Sequence, residues 1–307
     1  MPGPSADATI TVRCPAKLNL FLEVVGKRAD GYHDLDTVMQ AIDLCDELHV
    51  TPCEDAEELS LACSDPELPT DSGNLVLRAA LALREHTGCR KGARFELTKR
   101  IPMQAGLGGG SSDAAGALVG LNAAWGLGLA TEELRHVAAT VGSDVAFFLY
   151  GGTARCTGRG EVVEPAPAPA VFHYVLVCPG VGVSTAEAYA RLASLTYPRP
   201  RASIVVLAAI ADGSFEGTGK GLFNRLEDAA LTVRPELREV KQRLAETGLF
   251  AGVAMTGSGS GFFGLCHPSD WERAHDTAAR LALGRAFAVR SLPHGVAAVP
   301  ATGLVRP

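Results

Sequence analysis

The chain has 307 residues, of which 47% are hydrophobic and 20% charged, with 34 glycines and 18 prolines. That balance excludes a disordered or fibrous chain, and the length exceeds what one hydrophobic core usually fills, so two lobes are expected. A net charge of -6 with no basic run argues against nucleic acid as a partner, and the absence of a signal-like start or a long apolar span argues against a membrane, so the expectation is a cytoplasmic protein.

The start of the chain reads as β-rich. Residues 9–13, 18–25, 36–51 and 59–63 alternate or run apolar with β-branched content. Ser72-Gly73-Asn74 then opens a helix over 75–85 that stops by Gly88, a residue suited to the left-handed position after a helix end. A strand over 95–99 leads into the loop Pro102-Met103-Gln104-Ala105-Gly106-Leu107-Gly108-Gly109-Gly110-Ser111-Ser112, and a helix is expected from Asp113 to Trp125. The longest charge-free run, 114–131, is broken by Gly116, Gly120, Asn122, Gly126 and Gly128, which argues against a membrane span. Thr131-Glu132-Glu133 starts a further helix, with threonine as its cap, ending near Gly142. Gly151-Gly152 and Gly158-Arg159-Gly160 bracket a short strand and read as turns at its ends.

Alternate prolines in 164–170, EPAPAPA, are incompatible with a helix or a central strand, and mark the boundary between an N-terminal lobe, 1–163, and a C-terminal lobe, 171–307. Beyond it come a strand over 173–178 and helices near 185–194, 203–211, 223–230 and 235–247. Two strands over 250–255 and 261–266 follow, then a helix over 269–283 and a strand around 286–290. Strands come in runs instead of alternating strictly with helices, so the fold class expected is α+β. Eight scattered cysteines, with no tight pair, read as buried free thiols.

Gly106, Gly108, Gly109 and Gly110 precede two serines at a helix start. Residues without Cβ allow close backbone approach to a ligand, and the unpaired N–H groups of the helix end favour an anion, so the loop reads as a phosphate site. It is not a P-loop, because no lysine follows Gly110, and it lacks the third glycine of a dinucleotide fingerprint. The formal fingerprint match, Gly259-Ser260-Gly261-Phe262-Phe263-Gly264, leads into a strand and is discounted. Thr256-Gly257-Ser258-Gly259-Ser260-Gly261 suits either a hairpin or a backbone surface pressed against a ligand.

The loop resembles the phosphate-binding signature of the GHMP kinases, the superfamily of galactokinase, homoserine kinase and mevalonate kinase. Pro15-Ala16-Lys17-Leu18-Asn19-Leu20, Ala29-Asp30-Gly31-Tyr32-His33, Gly142-Ser143-Asp144-Val145-Ala146-Phe147-Phe148 and Met255-Thr256-Gly257-Ser258-Gly259-Ser260-Gly261 together are similar to the 4-diphosphocytidyl-2-C-methyl-D-erythritol kinase family. The resemblance implies a two-lobed α+β fold with the active site in the cleft between lobes. It also implies ATP with Mg2+ as phosphoryl donor, and a cytidine-diphosphate-linked methylerythritol as acceptor. It places Lys17 and Asp144 as the catalytic pair, and Asn74, Lys99 and the loop residues 102–112 on the nucleotide side. Ser111 and Ser112 would bind phosphate oxygens or magnesium. Asn19, Tyr32, His33, Thr185 and Tyr189 fall on the acceptor side, Tyr189 as the aromatic partner of the base. Gln104 stands where the family often carries glycine, and Ala146 where proline is common. Two alternatives stay open: another small-alcohol kinase of the homoserine or mevalonate type, against which Ala29–His33 argues, and a non-catalytic metabolite sensor, against which the presence of both Lys17 and Asp144 argues.

Overall fold

The computed structural model describes residues 9–53, 57–195 and 201–299; the reading of the N-terminus as lacking a signal sequence falls mainly on residues 1–8, outside them. In chain order the elements are β1 (Ile10–Lys27), β2 (His33–Cys53), β3 (Leu59–Cys63), α1 (Leu75–Thr87), β4 (Gly92–Thr98), α2 (Gly109–Ala124), α3 (Thr131–Val141), α4 (Val145–Tyr150), β5 (Thr153–Gly158) and β6 (Val162–Ala166). They continue with β7 (His173–Cys178), α5 (Thr185–Leu192), α6 (Ile204–Ala211), α7 (Phe215–Gly221), β8 (Phe223–Asn224), α8 (Glu227–Val233), α9 (Leu237–Glu246), β9 (Gly252–Met255), β10 (Phe262–Cys266), α10 (Trp271–Arg280), β11 (Arg285–Arg290) and β12 (Ala297–Val299). Among the described residues, no helix is long and apolar enough to cross a membrane.

Two sheets organise these elements. The first runs β12-β1-β2-β4-β3, with β5 on β2, β6 on β5 and β8 on β1; the second is antiparallel, in the order β11-β7-β10-β9. Helices α1 to α4 cover one face of the first sheet around a core that includes Phe95, Leu118, Phe147 and Phe148. Between the sheets lies a second core, in which Leu18, Leu20 and Ile42 meet Tyr174, Leu176 and Phe263. Helices α5, α8, α9 and α10 bury the outer face of the second sheet.

One irregularity aims the functional residues. Pro15 pairs with Cys45 but Ala16 pairs with Ile42, so Asp43 and Leu44 are skipped in the β1–β2 ladder. A bulge bends and rotates the strands. Before it, Val12 and Cys14 point into the helix-covered core; after it, Ala16, Leu18 and Leu20 point between the sheets. Lys17 and Asn19 alternate with these and share the opposite face. The bulge also explains why β1 is one strand where the sequence reads as two pieces around Pro15.

Other boundaries depart from the sequence reading for local reasons. Helix α2 starts at Gly109, not Asp113, with Gly108 at φ 71 turning the chain into it. The N-cap of α3 is Ala130, whose N–H donates to the Glu133 carboxylate at 2.9 Å, so Thr131 is already helical. The helix expected over 223–230 begins only at Glu227, because Phe223 and Asn224 pair in parallel with Phe21 and Leu22. Glycine-rich α7 has no periodic signature, yet Ser214 caps it by accepting from Gly217 N–H at 3.1 Å. Pro165 sits in β6, an edge strand, where a missing donor is tolerated.

All eight cysteines are free thiols, five of them buried. The GxGxxG match at 259–264 runs into β10 and opens no helix. Gly151 and Gly158 lie at the ends of α4 and β5, as turn residues.

Candidate active site

A cleft of about 1430 Å3 is lined by the glycine loop, β1, the end of β2's entry turn, Asp144 and the start of α5. Single small-molecule sites span about 300–1,000 Å3, so this one has room for two ligands. Its geometry begins with the loop. Lys17 N–H donates to Leu107 O at 3.0 Å, and Ser112 N–H to Gly108 O at 2.9 Å. The second of these is the first bond of α2, which leaves the amides of Gly109, Gly110 and Ser111 as the helix's free donors. Inside α2, a Cβ on Gly116 would run into Cys14 Sγ and one on Gly120 would meet Val50 at 2.7 Å, so glycine lets the helix lie close on the sheet beneath the loop.

The two glycine segments pack backbone to backbone. Gly106, at φ 74, lies against the Thr256 carbonyl, leaving no room for a Cβ. Ser260 N–H donates to Gln104 O at 3.2 Å, Gly261 N–H to Ala105 O at 3.1 Å, and the Thr256 hydroxyl to Gly106 O at 3.2 Å. The β9–β10 connection is thus a hairpin, and the backbone pressed against it is mainly the 102–110 glycine loop; Gly257, Ser258 and Gly259 also reach the cleft wall. Gln104 has φ 51, the left-handed conformation that favours glycine, and its side chain fills the space left by Gly182.

Lys17 and Asp144 come together: Nζ lies 3.7 Å from Oδ2, with side-chain exposures of 4% and 30%. Gly108 makes this approach feasible, since a Cβ there would press on Phe148 at 2.9 Å and on the Lys17 stem at 3.2 Å. Burial pushes the Lys17 ammonium below its ordinary pKa, opposed by the Asp144 carboxylate. Lys17 Nζ also donates to Asn19 Oδ1. That oxygen accepts from Gly257 N–H at 3.0 Å, while Asn19 Nδ2 donates to Thr37 Oγ1 at 2.9 Å. Asn19 therefore lines the cleft with its polar atoms already committed to holding Lys17 and the 256–257 turn.

At the loop end, the predicted nucleotide-side residues divide. Asn74, Lys99 and residues 102–110 all reach the wall; Ser111 and Ser112 do not, and the buried Ser112 hydroxyl has no hydrogen-bond partner. Asn74 is the N-cap of α1, accepting from Val76 N–H at 3.0 Å and donating to Pro69 O at 2.8 Å. Lys99 is held by two buried carboxylates, Asp46 and Asp113, the latter at 2.7 Å. Burial pushes Asp113 up to about 7, against the opposing pull of Lys99. Sequence reasoning missed both carboxylates, which read as ordinary strand and helix residues; only their shared lysine gives them meaning.

At the other end, His33 stacks on Tyr189 with ring centroids 4.7 Å apart and planes at 21°. Tyr32 is 55% exposed and carries the Arg159 guanidinium 5.0 Å over its ring. Burial lowers the His33 pKa, with Lys27 adding to the effect, and burial raises the Tyr189 phenol to about 12. His33 is thus neutral and Tyr189 protonated near pH 7. Thr185 Oγ1 bonds Ser258 Oγ at 2.9 Å, tying α5 to the hairpin turn. A Cβ on Gly160 would sit 3.5 Å from Asp144 Oδ1, so the turn bearing Arg159 joins this aromatic end to the Lys17–Asp144 pair.

A phosphate-type glycine loop, a lysine–aspartate pair and an aromatic wall in one cleft define a phosphotransferase of the GHMP class. Residues 74–152 match the GHMP kinases N terminal domain and 206–288 the GHMP kinases C terminal family. The chain belongs to the 4-diphosphocytidyl-2-C-methyl-D-erythritol kinase family. It is 41% identical to the protein of that name from Geobacillus thermodenitrificans over 284 residues, covering 92% of this chain and 97% of the relative. Identity to the one from Pelotomaculum thermopropionicum is 45% over 272 residues, or 88% and 93% of the two chains. A crystal structure of 4-(cytidine 5'-diphospho)-2C-methyl-D-erythritol kinase superposes with a TM-score of 0.75 at 38% identity, over 92% of this chain and 98% of that one. Homoserine kinase from Cytophaga hutchinsonii gives 0.78 over 97% and 100%, but at 20% identity that likeness shows the fold alone.

Proposed function

We propose that the protein transfers the γ-phosphoryl group of ATP to a hydroxyl on the methylerythritol part of 4-diphosphocytidyl-2-C-methyl-D-erythritol, in the cytoplasm, as a step of non-mevalonate isoprenoid precursor synthesis. The observation that carries this reading is the Lys17–Asp144 pair, 3.7 Å apart, in a cleft with a glycine loop at one end and the Tyr32, His33 and Tyr189 rings at the other.

Each part has a chemical task. ATP phosphates sit against the amides of Gly109, Gly110 and Ser111, where the partial positive charge of the α2 N-terminus meets them. Asp144, the more exposed member of the pair, accepts the proton of the acceptor hydroxyl as phosphoryl transfer proceeds. Lys17, its ammonium 3.7 Å from that carboxylate, offsets charge developing on the transferred group. Asn19 fixes the lysine, and the aromatic wall holds the cytosine. General-base help of this kind contributes about a hundred- to ten-thousandfold.

Among the described residues, no three His, Cys, Asp or Glu side chains converge as a metal cage. Mg2+ keeps waters and phosphate oxygens and takes few protein ligands. Asp113 Oδ1, buried without a partner at the start of α2 on a residue that lines the cleft, is an oxygen donor of the type it takes. Bound with ATP, the ion would neutralise phosphate charge. Product analysis by 31P NMR tests the reading: a new phosphomonoester on the methylerythritol with the diphosphate intact supports it, and ATP hydrolysis without such a product contradicts it.

A further inference from the structure

We propose that Arg234 binds a phosphate oxygen of the acceptor's cytidine diphosphate group. The proposal deepens the substrate reading above and rests on it. Among the described residues, five Lys and Arg side chains line the cleft. Four of them have an evident charge environment. Lys17 faces Asp144, Lys99 lies between Asp46 and Asp113, Arg159 lies 3.7 Å from Glu161 and over Tyr32, and Lys27 is open to water. Arg234 is different. It is half-buried, and among the described residues its guanidinium makes a 3.3 Å bond from Nη1 to the carbonyl of its own neighbour, Val233.

A guanidinium has five donors in a rigid fork that matches phosphate oxygens in pairs. One long bond to a neutral carbonyl leaves most of that capacity unused in a partly desolvated place. The backbone beneath it is fixed: Arg234 ends α8, its N–H donates to Ala230 O at 2.8 Å, and Pro235 follows. Helix α8 is itself anchored, because Glu227 accepts from Met255 N–H at 3.0 Å and pairs with Lys241. Helices α5 and α8 pack together, and Tyr189, Ala190 and Ala193 of the first, with Leu226 and Arg234 at the two ends of the second, all line the cleft. The carboxylate that α5 adds to the lining, Glu187, is exposed, and among the described residues it forms no ion pair with Arg234. The arginine therefore shares its side of the cleft with the aromatic ring assigned to the base, so the anion brought to it is the one covalently linked to cytidine.

Calorimetric titration of cytidine, CMP and CDP into the full chain without ATP tests this, comparing wild type with Arg234→Ala and Arg234→Lys. The expected result is a CDP affinity reduced about tenfold or more in Arg234→Ala, with cytidine affinity and melting temperature unchanged and partial recovery in Arg234→Lys. Turnover at saturating substrate and the KM for ATP stay at wild-type values, while the KM for the acceptor rises. Unchanged CDP affinity in Arg234→Ala, or an equal loss for cytidine and CDP, overturns the proposal and leaves the substrate reading standing. Failure of all three ligands to bind the wild type overturns the substrate reading itself.

Discussion

Lys17 and Asp144 face each other at 3.7 Å on the floor of the cleft, although they lie on β1 and before α4, in distant parts of the chain. The β1–β2 bulge turns Lys17 to this side, Gly108 leaves room for its stem, and Asn19 fixes its ammonium. Asp144 contributes the more exposed carboxylate. With Asp144 as the base, Asp144→Asn is expected to lower kcat by about a hundredfold or more while leaving ATP affinity near wild type. Steady-state kinetics with an ATP-binding titration checks this. An unchanged kcat would remove Asp144 from the chemistry.

In the mechanism proposed above, Asn19 acts on the reaction through Lys17. Replacing it by Asp keeps the acceptor but adds a negative charge beside the ammonium, which raises the Lys17 pKa from its burial-depressed position. Activity that depends on protonated Lys17 declines as pH rises through that pKa. The alkaline limb of the kcat profile is therefore expected to move to higher pH in Asn19→Asp, alongside a reduced kcat. A purely structural role for Asn19 would lower activity without moving the limb.

Gly106 tests the contact between the two glycine segments. A Cβ there meets the Thr256 carbonyl at a backbone φ of 74, so Gly106→Ala is expected to cost about 2 kcal/mol or more of stability and most of the activity. Gln104→Gly, which releases a side chain from a left-handed conformation, is expected to be tolerated. Thermal melting of both variants separates the cases.

Asp113 gives a stability signature. Its folded pKa of about 7 lies above the ordinary value of 3.8, so between these values the native state holds a proton that the unfolded chain has lost. Stability from this group is fully present below about pH 4 and is lost as pH rises through about 7. Denaturant titrations of wild type and Asp113→Asn across pH 4 to 8 are expected to show a steeper fall for wild type in that window. Parallel curves would show that Asp113 is ionised in the folded protein throughout.

The parts legible in the sequence were those with local chemistry. Gly88 does end α1 at φ 70, the helix does open directly after Ser72-Gly73-Asn74, and the 173–178 strand has those bounds. The α+β class followed from strands arriving in runs. Long-range pairing decided the rest. Phe223 and Asn224 look helical until β1 offers them a parallel partner, and Pro15 looks like a strand break until the skipped Asp43 and Leu44 absorb it. In the site, the glycine loop announced itself by composition, whereas Lys17 and Asp144 were legible only through resemblance, since neither residue has a local signal for its partner. Asp46, Asp113 and Arg234 carried no signal, because their significance lies in what surrounds them.

The acceptor's identity is the central claim, and an ADP-release assay with a panel of alcohols tests it most directly. Turnover with 4-diphosphocytidyl-2-C-methyl-D-erythritol, and little or none with homoserine or mevalonate, is the predicted result. Brisk turnover with homoserine and none with the cytidine-linked alcohol would contradict it.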